Sequence, residues 1–127
     1  MSDPIGNVTT AALSLALDAA ALRQQAIASN IANVNTPGYG ALAVSFEEQL
    51  EDARRTLRSG RALDGSELAG VQPALQSARG PEGLPAAVQL DVEAAKLAQN
   101  SVHFQVLLKS LSRHYAVLSS AVSDGKK

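Results

Sequence analysis

Residues 88–123 read VQLDVEAAKLAQNSVHFQVLLKSLSRHYAVLSSAVS. Within them Leu90, Ala94, Leu97, Ser101, Phe104, Leu108, Leu111, Tyr115, Leu118 and Val122 recur at alternating spacings of four and three. Side chains at that spacing line one edge of an α-helix, so the stretch predicts a helix with a coiled-coil seam. At 1.5 Å per residue the helix is roughly 50 Å long. The side chains expected to carry the seam are Leu90, Leu97, Phe104, Leu108, Leu111, Tyr115 and Leu118. Asp124 and Gly125 end the run, and Lys126 and Lys127 lie where the helix dipole favours cations.

A second long helix is expected over residues 4–34. Asp3 can cap it, and Pro4 suits its first turn. Asp18 and Arg23 are the only charged residues between Pro4 and Phe46. They read either as ion-pair partners of a neighbouring subunit or as one wet edge. Val8, Ala12, Leu15, Ala19, Leu22 and Ala26 form one apolar stripe; Leu13, Leu17, Ala20, Ile27 and Ile31 form another. Two long helices of similar length predict an all-α fold, an antiparallel coiled-coil hairpin built as one domain over residues 1–127. The hairpin uses one stripe of the first helix. The second is expected to stay bare and to serve as an interface.

Between the helices lies a junction turn over residues 35–45, whose stretch from Ala41 to Ser45 can be extended. A short third helix follows over residues 46–59. Ser45 and Glu48 make a capping box, Phe46, Leu50, Ala53 and Leu57 share a face, and Glu51 and Arg55 form an i,i+4 pair. Gly60 ends it. Residues 60–87 are expected to be a flexible loop, because Gly60 to Pro85 holds five of the nine glycines and three of the five prolines.

Composition narrows the function. Aromatic residues make up 3% of the chain and tryptophan is absent, while the apolar 46% is mostly alanine, leucine and valine. Such a chain builds slender helices side by side better than a thick core. A net charge of −1 gives no bulk attraction to nucleic acid. Arg54, Arg55, Arg58 and Arg61 form a short basic run without interleaved aromatics, which does not make a nucleic-acid site. With no cysteine there is no disulfide framework and no thiolate metal site. His103 and His114 stand about 16 Å apart along a helix, so they cannot share a metal and read as polar positions beside the seam. Glu47, Glu48, Glu51 and Asp52 read as a solvated face rather than an acid/base pair. No nucleophile elbow or phosphate loop occurs. No catalytic, cofactor-binding or metal-binding residue, no cofactor and no small-molecule substrate is therefore expected. No signal peptide or membrane-spanning stretch is expected either.

The junction carries the most specific motif: Ala28-Ser29-Asn30-Ile31-Ala32-Asn33-Val34-Asn35-Thr36-Pro37-Gly38-Tyr39. It resembles the S-N-x-A-N-x-N-T-x-G-[YF] signature of the flagellar rod and hook axial protein family. Phe46, Glu48 and Leu50 resemble a D-F-x-x-x-L stretch of its rod proteins. Val88, Leu90, Glu93, Asn100 and Phe104 resemble the family's C-terminal pattern. Between turn and phenylalanine the family commonly has a basic residue and an aspartate, where Gly40 to Ser45 has no charge.

The resemblance implies a structural subunit of the proximal rod of the bacterial flagellar basal body. Such a subunit is exported by the type III apparatus without cleavage. In the periplasmic space it polymerises with copies of itself and with other rod proteins, near the membrane-ring adaptor, into a torque-transmitting tube. It further implies junction or interface roles for Ser29, Asn30, Ile31, Asn33, Asn35, Thr36, Pro37, Gly38, Tyr39 and Phe46. The competing reading is a soluble helical adaptor or export chaperone that binds a partner helix through its seam.

The motif's chemistry suits a fixed junction. Asparagines tolerate left-handed backbone and bond to free carbonyls, Pro37 stops the helix, and Gly38 permits positive φ.

Overall fold

The computed structural model describes residues 4–46, 51–52, 55–56, 58–61, 68 and 70–125. Helix α1 spans Pro4–Ala32, strand β1 Leu42–Ser45, strand β2 Ala74–Ser77 and helix α2 Leu90–Asp124, with a 3-10 turn at Pro81–Gly83. Both long helices were legible, with ends within two residues of expectation. The all-α class was not. The chain is mostly helical with two long helices, and it also carries a small two-stranded sheet.

In that sheet β1 pairs antiparallel with β2, Leu42 opposite Ser77 and Ser45 opposite Ala74. The expected flexible loop over 60–87 therefore contains a strand, the 3-10 turn and an isolated bridge between Arg79 and Pro85. Backbone pairing orders its part from Ala74 to Ala86. Ala41 N–H donates to Ala86 O, Ala78 N–H to Ala41 O, and Ala86 N–H to Ala78 O, each at 2.8–2.9 Å. Gly40 belongs to this crossing, since a Cβ there would meet Pro85 Cβ at 3.1 Å. Strand propensity alone does not flag such segments, because the pairing partner supplies the order.

Of the expected short helix, Glu51, Asp52, Arg55, Thr56 and Arg58 are helical. Gly60 follows it at φ +78°, the left-handed geometry that closes a helix. Arg55 lies 3.9 Å from Asp52 in an exposed pair. Asp3, Glu47, Glu48, Leu50, Ala53, Arg54, Leu57, Lys126 and Lys127, with the capping box and the C-terminal lysines, lie outside the described residues.

α1 and α2 pack side by side and run in opposite directions. Polar contacts measure the register. Thr10 Oγ1 lies 3.1 Å from His114 Nε2, Asn100 Nδ2 donates to Ala20 O at 2.9 Å, and Asn30 Nδ2 donates to Glu93 Oε2 at 3.1 Å. Among the described residues the buried hydrophobic ones are Ala19, Ala20, Ala26, Ile27, Ala41, Leu68 and Val71. Alanines dominate, so the helices approach closely while burying little area per residue.

The face of α2 turned to α1 differs from the expected seam. Its covered or half-covered positions are Glu93, Leu97, Asn100, Phe104, Leu107, Leu111, His114 and Leu118, again in four-three alternation. Leu97, Phe104, Leu111 and Leu118 belong to both patterns. Leu90, Leu108, Tyr115 and Val122 are instead 47–60% exposed, and Ala94 and Ser101 are exposed too. Glu93, Asn100 and His114 displace them because each finds a hydrogen-bond partner on α1, which removes the penalty of covering a polar group.

The bare stripe expected on α1 is also corrected. Ala20 and Ile27 are buried, and Leu13, Leu17 and Ile31 are half-buried. Phe46 and Leu68 face Leu15 and Ala19 of the other stripe across a cleft. Most of the exposed large hydrophobic side chains among the described residues lie on α2 instead, where Val102, Val106 and Val117 add to Leu90, Leu108, Tyr115 and Val122.

Candidate functional site: the asparagine junction

The last turn of α1 brings the motif together. Asn30 is 1% exposed, the largest fully buried side chain among the described residues. A side-chain amide offers two donor hydrogens and two acceptor lone pairs, and here all four are used. Nδ2 donates to Leu42 O at 3.0 Å and to Glu93 Oε2 at 3.1 Å. Oδ1 accepts from Leu42 N–H at 2.7 Å and from the Tyr39 hydroxyl at 3.1 Å. One side chain thus ties the end of α1 to the turn, the first residue of β1 and the first turn of α2.

At Leu42 the Asn30 amide takes both backbone groups, as the backbone of a neighbouring strand would. Glu93, itself 4% exposed, has its second carboxylate oxygen 3.3 Å from Lys96 Nζ. That ammonium is half exposed, so the buried carboxylate is held by an amide on one side and a solvated cation on the other.

Asn33 organises the turn. Its amide donates to Ser29 O at 2.8 Å, and its Oδ1 accepts from the Thr36 hydroxyl at 3.1 Å. Its backbone N–H donates to Ser29 O and Asn30 O, while Thr36 N–H returns to Asn33 O at 2.9 Å. Ile31 is half-buried, and Val34 N–H reaches back to Ile31 O at 3.4 Å. Asn35, Thr36, Pro37 and Gly38 are exposed. Gly38 has φ +76° with open space around it, so Gly38→Ala is strained by backbone alone. It should cost about 1 kcal/mol, read as a lowered urea midpoint with unchanged slope.

Phe46 lies beneath Arg23, whose Cζ is 5.9 Å from the ring centroid. Arg23 is half-buried and Asp18 is exposed. Reading from sequence missed Glu93 as part of the junction's polar network and missed Asn100, whose amide also reaches Gln24 Oε1 at 3.2 Å. Both stood in the C-terminal motif, but their partners are 63 and 76–80 residues distant in sequence. Among the described residues there is no cluster of three or more metal-ligating side chains. No helix among them is long and apolar enough to cross a membrane.

One comparison with known proteins falls on this junction, and the others run along most of the chain. The family profile described as "Flagella basal body rod protein" matches residues 12–39, most of α1 and the whole turn through Tyr39. The match covers under a quarter of the chain, and the likeness is to a class of structural protein. Within the class it is similar to FlgB. It is 29% identical to the flagellar basal body rod protein FlgB of Bacillus subtilis (strain 168) over 119 residues, covering 90% of this chain and 92% of the relative. It is 27% identical to FlgB of Escherichia coli (strain K12) over 126 residues, covering 87% and 89%. It is 28% identical to FlgB of Aeromonas hydrophila over 114 residues, covering 84% and 86%. Each of these relatives is by name a protein of the flagellar basal body rod, and the likeness supports a structural role of that kind.

Proposed function

We propose that the chain is a subunit of the proximal rod that polymerises through its two terminal helices. The helices act as an antiparallel coiled-coil hairpin within one unit of the axial tube, and the tube transmits torque. The subunit reaches the periplasmic space through the type III export apparatus. It assembles with copies of itself and with other rod proteins next to the membrane-ring adaptor.

The observation that carries this reading is the fully bonded Asn30. In a helical polymer every subunit repeats the angle at which the chain leaves its terminal helix, so an error there accumulates along the tube. A buried amide joining α1, β1 and α2 fixes that angle for each copy. The motif residues from Ser29 to Tyr39, with Phe46, form the junction. Leu97, Phe104, Leu111 and Leu118 close the hairpin. Leu90, Leu108 and Tyr115 face neighbouring subunits, because they remain exposed within one chain.

Leu108→Asp tests the assignment. Leu108 is 47% exposed, so the change leaves the isolated chain's unfolding free energy within about 0.5 kcal/mol of wild type. In the rod it places an unpaired carboxylate in an apolar contact. The expected result is loss of motility and of isolated rods from cells that still produce the variant. Normal rods in those cells would remove this face from the interface.

A further inference from the structure

β1 has one edge against β2 and one edge turned toward α1. The ladder's alternation assigns each residue. Ala78 N–H donates to Ala41 O, and both backbone groups of Leu42 go to Asn30. Antiparallel pairing therefore places the ladder bonds at Ala43 and Ser45 and turns the N–H and C=O of Val44 outward, on the same edge as Leu42. At Leu42 that edge is closed by the Asn30 amide. At Val44 no partner occurs among the described residues.

Val44 instead borders a cleft of about 470 Å³ between α1, β1 and α2. Ile27 contributes apolar surface to this cleft, and Arg23, Lys96 and His103 line it as basic groups. The acidic group there among the described residues is Glu93, which is buried and already bonded to Asn30 and Lys96.

We propose that this cleft docks an extended segment of another protein that carries a carboxylate side chain. The segment adds to β1 at Val44, continuing the edge that Asn30 caps one pair earlier. Its carboxylate lies toward Arg23 and Lys96. Backbone pairing at an open strand edge supplies affinity, and the side chain beside it supplies selectivity. Charge complementarity selects the occupant, because among the described lining residues Arg23 and Lys96 stand against one carboxylate, that of Glu93, which Asn30 already holds.

The test is a titration of the full chain, followed by ¹H–¹⁵N NMR, with the blocked peptide acetyl-Thr-Val-Glu-Val-Thr-amide. The Glu→Gln peptide serves as control. The expected result is a saturable shift of the Val44 amide at millimolar peptide or below, with binding about tenfold weaker for the glutamine peptide. Lys96→Gln should weaken binding by a similar factor. Val44→Pro should abolish it while keeping the remaining spectrum, since proline is tolerated where a strand's N–H faces away from its ladder. No shift at Val44, or equal binding of the two peptides, overturns the proposal. A Val44 shift that grows with protein concentration alone also overturns it, because a second copy would then be the occupant.

Discussion

Asn30→Ala is expected to lower the unfolding free energy by about 3 kcal/mol, read from urea denaturation followed by helical circular dichroism. The alanine removes partners from Leu42 N–H, Leu42 C=O, Glu93 and the Tyr39 hydroxyl together. A buried group left without its hydrogen bond costs about 1–3 kcal/mol, and Tyr39, being half-buried, recovers part of its loss from water. Asn30→Asp should be worse than alanine despite its near-identical shape. It replaces the Nδ2 donor with an oxygen facing Leu42 O and the Glu93 carboxylate, so two repulsive contacts stand where two hydrogen bonds stood. The order wild type, alanine, aspartate in falling stability is the signature of a bonded amide. A packing role for Asn30 would put aspartate closer to wild type than alanine.

The second large effect is expected on the inner face of α2. Leu111→Asp places a carboxylate against α1 and should cost about 3 kcal/mol or more, enough to unfold much of a small marginal domain. Leu108→Asp, three residues earlier in the last full heptads, should cost almost nothing in the isolated chain. The contrast checks the seam itself, since the spacing read from sequence treats both leucines as buried. Thermal unfolding of the two variants, compared at equal protein concentration, decides it. Equal destabilisation would restore the expected seam and contradict the observed one.

That misplacement shows where the sequence is legible and where it is not. Hydrophobic periodicity located both long helices, because thirty or so residues of four-three spacing admit few other readings. It shared Leu97, Phe104, Leu111 and Leu118 with the true inner face. It then took the wrong companion row, choosing Leu90, Leu108 and Tyr115 over Glu93, Asn100 and His114. An apolar count cannot see that Asn100 finds the Ala20 carbonyl or that His114 finds Thr10. Polar residues on such a face set register and direction, and their partners are fixed only when the fold closes.

The sheet was hidden for a related reason. Ala74–Ser77 is a short segment in a stretch rich in glycine and proline, and its strand character comes from β1 thirty residues earlier. The junction was better marked. Asn30, Asn33, Thr36 and Gly38 all announce a helix end, and the turn at Gly38 does take positive φ. What the motif did not announce was depth. Of its three asparagines, Asn30 is buried, Asn33 half-buried and Asn35 exposed, and Asn30 is the one bonded to β1 and α2.

The central claim is that a single buried amide fastens the exit from α1 to the sheet and to α2. Amide hydrogen exchange at Leu42 tests it most directly, because that N–H donates to Asn30 Oδ1 at 2.7 Å and not to a neighbouring strand. The account predicts that Leu42 exchanges as slowly as amides in the middle of α1, and that Asn30→Ala speeds Leu42 far more than Ala43. Exchange at Leu42 as fast as at the exposed turn residues in the unaltered chain would contradict it.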